Sequence, residues 1–127
     1  NGADWITPQG DIISNNILTT QNSLPHKYAF CSDTRYNESL IEKIKEVDLL
    51  YHETTFMKDL EERAEQTGHS TTLQAAKIAK KAKVKKLLIG HYSQRYKNIE
   101  DLLDETKNSF SNTYLSSPGL VVDFKEI

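Results

Sequence analysis

Three short apolar segments, each followed by a pattern typical of helices, constrain this chain more than any other feature. They span residues 27–32, 48–53 and 84–90, and they are rich in the branched and aromatic residues that strands favour. Between and after them, apolar residues recur at helical spacing. Strands and helices that alternate over short connections form partly parallel sheets, so the sequence predicts an α/β fold.

The clearest helical pattern places Leu73, Ala76 and Ile78 on one side of a helix while the lysines face outward. Gly68 is expected to end the helix before it. The predicted helices cover residues 37–46, 58–66, 71–82 and 98–110. Two further strands are predicted at residues 113–115 and 120–124.

The first 26 residues are polar and contain several chain-breaking prolines and glycines. Only Ile12-Ile13 and Ile17-Leu18 are candidates for short strands there. We therefore expect residues 1–26 to be an irregular or short-strand lead-in. The whole chain, residues 1–127, is expected to form a single partial domain, because this length suits one domain or a piece of one.

Composition excludes several classes of protein. No apolar run approaches the roughly 18 residues of a membrane-spanning helix, so no membrane partner is expected. Cys31 is the only cysteine, which rules out a disulfide within the chain and favours a cytoplasmic protein. The net charge of −2 does not indicate nucleic-acid binding. The lysine-rich stretch is predicted to be a solvated helix face and turn; its members are Lys77, Lys80, Lys81, Lys83, Lys85 and Lys86.

Polar residues follow the predicted strands at the points where functional groups gather in open α/β sheets. Asp33 follows the first strand, His52 and Glu53 end the second, and His91 follows the third. His69 lies in the loop before the helix at residues 71–82. Imidazole and carboxylate groups suit a hydrolytic zinc site.

Spacing alone leaves structural explanations open for each of these residues. Asp33 could cap a turn, His91 could be a hydrogen-bonded histidine at a strand end, and His52 could be packed in the core. Glu53 could belong to a hydrogen-bonded turn, and His69 could face solvent. No closely spaced histidine pair of the kind that zinc hydrolases carry on one helix is present.

Four motifs in a fixed order add a resemblance. They are Ser32–Arg35 (SDTR), Leu50–Phe56 (LYHETTF), Gly68–Thr71 (GHST) and Gly90–Tyr96 (GHYSQRY). From about residue 27 to residue 111, this order and spacing resemble ribonuclease Z of the metallo-β-lactamase superfamily. The resemblance implies the C-terminal half of an αββα sandwich, with a mixed sheet and helices. It also implies a zinc-dependent endonuclease that removes the 3′ trailer from precursor tRNA and acts as a homodimer.

The resemblance assigns metal and catalytic roles to four residues. Asp33 matches the aspartate that bridges two zinc ions, and His91 matches the last histidine ligand. His69 matches the histidine proposed to protonate the leaving 3′ oxygen, and Glu53 matches the glutamate that holds it. His52 belongs to the same His-Glu motif, in which Thr54 replaces the usual alanine.

The resemblance also implies residues that bind substrate. Arg95 matches an arginine near the RNA end and offers a planar array of donors for phosphate oxygens. Ser70 and Thr71 lie at the start of the helix at residues 71–82, where free N–H groups favour an anion.

The H-x-H-x-D-H motif of that family is absent from this chain. We therefore expect the N-terminal half of the enzyme to be missing, and the isolated chain to bind zinc poorly and to be inactive. Surface that the other half would cover favours self-association. Two alternatives stay open: another metallo-β-lactamase-fold hydrolase, such as a phosphodiesterase, or a non-catalytic α/β binding module.

Overall fold

The computed structural model describes residues 2–20 and 25–124 and contains two sheets and five helices in those ranges. The strands are β1 (Trp5–Ile6), β2 (Ile12–Ile13), β3 (Tyr28–Cys31), β4 (Leu49–Glu53), β5 (Lys86–Gly90) and β6 (Thr113–Leu115). The helices are α1 (Asn15–Leu18), α2 (Leu40–Lys43), α3 (Glu61–Thr67), α4 (Thr72–Ala82) and α5 (Glu100–Lys107), with a 3₁₀ turn at Lys58–Leu60.

The main sheet has the order β3-β4-β5-β6, and every neighbouring pair is parallel. Each crossover between these strands contains at least one helix, as parallel pairing requires. The lead-in strands β1 and β2 form a separate antiparallel pair. The α/β prediction is confirmed, and the register places the carboxyl ends of β3, β4 and β5 side by side.

One face of the main sheet is covered by helices and forms the core. Cys31, Leu50, Leu87 and Ile89 lie on this face and pack against Ile78 of α4. Helix α4 begins with a capping box, in which Thr71 and Gln74 satisfy each other's backbone N–H groups. The predicted helix at residues 71–82 therefore differs from the structure only at its cap.

The opposite face of the main sheet is apolar and only partly covered. Tyr28, Phe30 and Tyr114 are 51%, 63% and 48% exposed. Residues 120–124 lie beside this face, and the ring of Phe124 meets that of Tyr28 at 6.4 Å between centroids. The prediction of a strand at 120–124 was wrong, because within the described residues this segment pairs with no strand.

Two other predictions of local structure were wrong in part. The predicted helix 37–46 is reduced to α2, which ends at its C-cap residue Ile44; beyond it, Glu46 adopts a left-handed conformation (φ 55°) and donates its N–H to the carbonyl of Ala82. Ile17-Leu18 forms the end of α1 rather than a strand. The Asp4 carboxylate accepts the N–H of Asn15 at 2.8 Å and so supports the first turn of that helix.

The lysine-rich stretch is a solvated surface, as its charge pattern predicts. Lys77 and Lys81 are exposed, and both contact Glu38. Lys85 contacts Asp48 at 2.6 Å. None of the helices within residues 2–20 and 25–124 has the length and apolar character needed to cross a bilayer.

Candidate metal centre

The candidate site lies at the carboxyl ends of β3, β4 and β5. Asp33 comes two residues after β3, Glu53 is the last residue of β4, and His91 directly follows β5. The register pairs Glu53 with Gly90, the residue before His91. Glu53 and His91 therefore lie side by side at the ends of neighbouring strands. His69 enters from the loop between α3 and α4, at the same edge of the sheet.

Three side chains at this edge offer ligands for one metal ion. One ligand atom from each of Asp33, His69 and His91 lies within 4.8 Å of the other two. Asp33 Oδ1 is 3.4 Å from His91 Nε2, and the two imidazole rings are 5.2 Å apart between centroids. Within the parts of the chain that the structure describes, this is the only such group of three. Two nitrogens and a carboxylate oxygen fit the donor set that zinc favours.

A fully buried carboxylate lies behind these ligands. Glu53 Oε1 accepts the backbone N–H of Thr34 at 2.8 Å and contacts His69 Nδ1 at 2.9 Å. Glu53 Oε2 accepts the hydroxyl of Thr55 at 2.6 Å and the backbone N–H of Ser70 at 3.2 Å. Because both oxygens are surrounded by donors, the carboxylate is well satisfied without water. It holds Nδ1 of His69 and leaves Nε2 as the free nitrogen of that ring.

The backbone is left-handed at two of the three candidate ligands. Asp33 and His91 have positive φ angles of 49° and 61°. A left-handed conformation costs a non-glycine residue about 1–3 kcal/mol and often occurs at functional sites. Gly90, just before His91, has no room for a Cβ, which would collide with the side chains of Tyr51 and Ser116. The end of β5 is therefore tightly constrained where it presents His91.

His52 faces away from the candidate site, into the core under the helices. It is fully buried, and its Nδ1 lies 2.8 Å from the backbone oxygen of Glu53. Its Nε2 has no hydrogen-bond partner among residues 2–20 and 25–124. Burial lowers the pKa of His52, although the hydrogen bond to Glu53 and the charge of that residue act in the opposite direction. The ring is a neutral structural element.

Replacing His52 by asparagine is expected to weaken the pH dependence of stability. Because the folded-state pKa lies below the unfolded value of about 6.5, only the unfolded chain binds this proton as the pH falls. Stability is therefore lost below about pH 6.5, with a slope of up to ~1.4 kcal/mol per pH unit. The asparagine amide keeps a donor for the Glu53 carbonyl but does not titrate. Urea unfolding between about pH 5 and 8 should show the shallower slope; parallel curves would contradict the assignment.

Ser70 and Thr71 are buried and use their hydroxyl groups internally. Ser70 Oγ donates to the carbonyl of Thr34 at 2.6 Å, and Thr71 caps α4 through Gln74. The bond from Ser70 to Thr34 joins the loop that carries His69 to the turn that carries Asp33. The geometry favours a structural part for both hydroxyls in place of the substrate contact that the resemblance implies.

Arg95 is exposed beside the candidate site. Its guanidinium lies 5.2 Å from the ring centroid of Phe56, and its Nε donates to Ser93 at 3.2 Å. Phe56 in turn meets His69 edge to face, at 6.2 Å between ring centroids. A cation held on an aromatic face and open to solvent is well placed to meet an anionic ligand.

Sequence reasoning missed Thr55. Its hydroxyl contacts both Glu53 and His91, so it belongs to the site although the motif comparison assigned it no role. The sequence could have indicated this role, since residues two apart on extended backbone point to the same side. Glu53 and Thr55 stand at that spacing.

Comparison with known sequences gives a consistent picture. No family model matches the chain. Ribonuclease Z from Phocaeicola vulgatus is 48% identical over 127 residues, which is 100% of this chain and 41% of the relative. Ribonuclease Z from Porphyromonas gingivalis strain W83 is 48% identical over 122 residues, covering 96% of this chain and 40% of the relative. This chain is a homologue of part of ribonuclease Z. The resemblance drawn from the four motifs is confirmed.

Solved structures confirm the fold. The metallo-β-lactamase fold protein YhfI from Bacillus subtilis matches 75% of this chain and 39% of its own, with a TM-score of 0.70 and 29% identity. The long form of RNase Z from yeast matches 77% of this chain and 13% of its own, with a TM-score of 0.60 and 27% identity. The short form of human tRNase Z has a TM-score of 0.53. The chain thus has part of the metallo-β-lactamase fold, and that fold family implies metal binding.

The chain spans about two fifths of the length of the ribonuclease Z relatives it matches. Its candidate ligands and the buried Glu53 all lie within the matched part, because the match to the Phocaeicola protein covers the whole chain. Those relatives are ribonuclease Z proteins over a longer sequence.

Proposed function

We propose that this chain supplies one part of a zinc-dependent endoribonuclease that removes the 3′ trailer from precursor tRNA. The observation that carries the proposal is the group formed by Asp33, His69 and His91 around the buried Glu53 carboxylate. The relatives named ribonuclease Z and the shared metallo-β-lactamase fold support the same conclusion. The parent protein is accordingly an enzyme that hydrolyses a phosphodiester bond.

Asp33 and His91 are the residues that hold zinc in this proposal. Their ligand atoms face each other at 3.4 Å, and both side chains remain accessible from solvent, with 71% and 40% exposed. When bound, the metal supplies an activated water and stabilises negative charge at the reacting phosphate. The carboxylate of Asp33 has two oxygens, so it can contact a second ion if another part of the protein provides further ligands.

His69 is the proton donor to the leaving 3′ oxygen. Its side chain is 24% exposed, and Nδ1 is anchored on Glu53, so Nε2 is the nitrogen that a substrate can reach. A carboxylate behind an imidazole orients the ring and stabilises its protonated form. Glu53 is therefore a positioning residue, and His69 transfers the proton.

Arg95 binds a phosphate of the RNA. It is the exposed cation stacked on Phe56, and Phe56 contacts His69, so a phosphate on Arg95 would lie near the proton donor. The planar guanidinium can give two parallel hydrogen bonds to phosphate oxygens.

We also propose that the chain works as part of a longer protein. With His69 reserved for proton transfer, Asp33 and His91 provide two ligand groups, fewer than the three that a catalytic zinc ion takes and too few for the two-zinc centre that the resemblance implies. The main sheet keeps an apolar face with Tyr28, Phe30 and Tyr114 exposed, as expected of a layer that another layer covers. Alone, this face favours self-association; the longer enzyme acts as a homodimer. The single free thiol, Cys31, is consistent with the cytoplasm.

Zinc titration tests the proposal directly. In calorimetry, the isolated chain is expected to bind at most one Zn²⁺ ion, weakly, and to leave a 3′-extended precursor tRNA uncut. The full-length enzyme is expected to bind two ions and to release the trailer, leaving a tRNA with a free 3′ hydroxyl. Substitution Asp33→Asn should abolish the weak binding, whereas Asp59→Asn, at an exposed position in the 3₁₀ turn, should not. Two tight ions on the isolated chain would contradict the proposal.

A generic phosphodiesterase is the alternative that the same site allows. The likeness to YhfI, described only by its metallo-β-lactamase fold, keeps this alternative open. It predicts that the full-length enzyme hydrolyses small phosphodiesters but leaves precursor tRNA intact.

A further inference from the structure

The hydroxyl group of Thr55 lies between the buried Glu53 carboxylate and the imidazole of His91. Its Oγ1 is 2.6 Å from Glu53 Oε2 and 2.9 Å from His91 Nδ1. Thr55 is only 7% exposed and its bond to Glu53 is buried, so water has little access to that bond. The hydroxyl has one proton to donate and lone pairs to accept with, and its partners decide how these are used.

The direction of the two bonds follows from the carboxylate. An ionised carboxylate has no proton to give, so the Thr55 hydroxyl donates to Glu53. With that proton committed, the hydroxyl oxygen can only accept a hydrogen bond from His91 Nδ1–H. We infer that Thr55 is a positioning residue that keeps the proton of neutral His91 on Nδ1, so that the lone pair of Nε2 faces the metal position. This inference rests on the metal role proposed for His91.

The competing arrangement puts the proton on Nε2, where it would face Asp33. That contact is long, at 3.4 Å between Nε2 and Oδ1, and the Asp33 side chain is 71% exposed. Water can replace it at little cost. The bond between Thr55 and Glu53 is short and buried, and losing it would leave a buried carboxylate oxygen with one donor fewer. The buried bond therefore decides the tautomer.

One carboxylate thus orients both imidazoles of the site. Glu53 contacts His69 Nδ1 directly and His91 Nδ1 through Thr55. His91 Nε2 then faces Asp33, and Nε2 is also the free nitrogen of His69. Metal-binding histidines generally have their second nitrogen held in this way, and loss of such a partner typically lowers metal affinity by about 10–100-fold.

Nitrogen NMR of this chain, labelled with ¹⁵N-histidine and free of metal, tests the inference. Long-range ¹H–¹⁵N correlation spectra at about pH 9, where free imidazole is neutral, report which ring nitrogen carries the proton. The variants are Thr55→Val, which removes the hydroxyl at similar volume, and Thr55→Ser, which keeps it. Thr54→Val is the matched control, because Thr54 is also buried but its hydroxyl has only a 3.4 Å contact with the Gly90 carbonyl. His91→Asn assigns the signals, and amide spectra report folding.

In the native chain and in Thr55→Ser and Thr54→Val, His91 is expected to carry its proton on Nδ1. In Thr55→Val, the Nε2–H form should become populated, while His69 stays protonated on Nδ1. In the full-length enzyme, Zn²⁺ affinity should fall by about 10–100-fold in Thr55→Val alone. Native His91 protonated on Nε2, or no tautomer change in a folded Thr55→Val variant, would overturn the inference. If the tautomers are as expected but His91→Asn leaves the Zn²⁺ affinity of the full-length enzyme unchanged, the proposed metal role of His91 would be wrong and the tautomer control would stand.

Discussion

Replacement of Glu53 by glutamine is expected to lower the free energy of unfolding of this chain by about 3–5 kcal/mol. The side chain is fully buried, and both carboxylate oxygens accept hydrogen bonds, from Thr34 and His69 on one and from Thr55 and Ser70 on the other. A glutamine amide must place its NH₂ against one of these pairs of donors. Those donors then lose their acceptor in a site that water does not reach.

Urea unfolding followed by circular dichroism measures this loss. The matched control is Glu65→Gln, the same substitution at a side chain that is 60% exposed and contacts Arg35 at 3.4 Å. The control is expected to change stability by less than about 0.5 kcal/mol. Equal effects of the two substitutions would show that Glu53 does not organise the site. In the full-length enzyme, Glu53→Gln should also slow tRNA cleavage, because His69 loses its anchor.

Replacement of His69 by asparagine is expected to lower kcat for precursor tRNA in the full-length enzyme by about 10²–10⁴-fold. Asparagine can still donate to Glu53, so the loop between α3 and α4 should keep its position. It cannot transfer a proton to the leaving 3′ oxygen, which is a poor leaving group without one. Bound zinc should be unchanged, since Asp33 and His91 are the proposed ligands.

A substrate with a better leaving group separates proton transfer from metal binding. For a 4-nitrophenyl phosphodiester, whose leaving group needs no proton, His69→Asn should have a small effect on kcat. His91→Asn should abolish hydrolysis of both substrates and reduce the zinc content. If His69→Asn instead lost zinc and slowed both substrates equally, His69 would be a metal ligand, as its distance from Asp33 and His91 also allows.

Two of the predicted variants lie at or just after the end of β4. His52→Asn tests a buried structural residue through the pH dependence of stability, and Thr55→Val tests a site residue through the tautomer of His91. His52 faces the core and Glu53 faces the site, because successive side chains on β4 alternate between the two faces of the sheet. A motif that reads as one unit in the sequence is thereby divided into a structural residue and a site residue.

The sequence by itself determined the α/β class, the order of the main strands and helices, and the positions of Asp33, Glu53 and His91 at strand ends. These follow from local periodicity and from the rule that parallel strands bring their carboxyl ends together. It also carried the four motifs by which the relationship to ribonuclease Z is recognised.

The tertiary structure alone decided which groups meet. Glu53 reaches Thr34, His69 and Ser70 across 19, 16 and 17 residues of chain, and Thr55 reaches His91 across 36. The helix predicted at 37–46 gives way, after α2, to a turn in which Glu46 donates its N–H to the carbonyl of Ala82, a contact that no local pattern encodes. Periodicity fixes the direction of a side chain relative to its own element. Distances between elements depend on how the helices and the sheet pack, and that packing is a property of the whole chain.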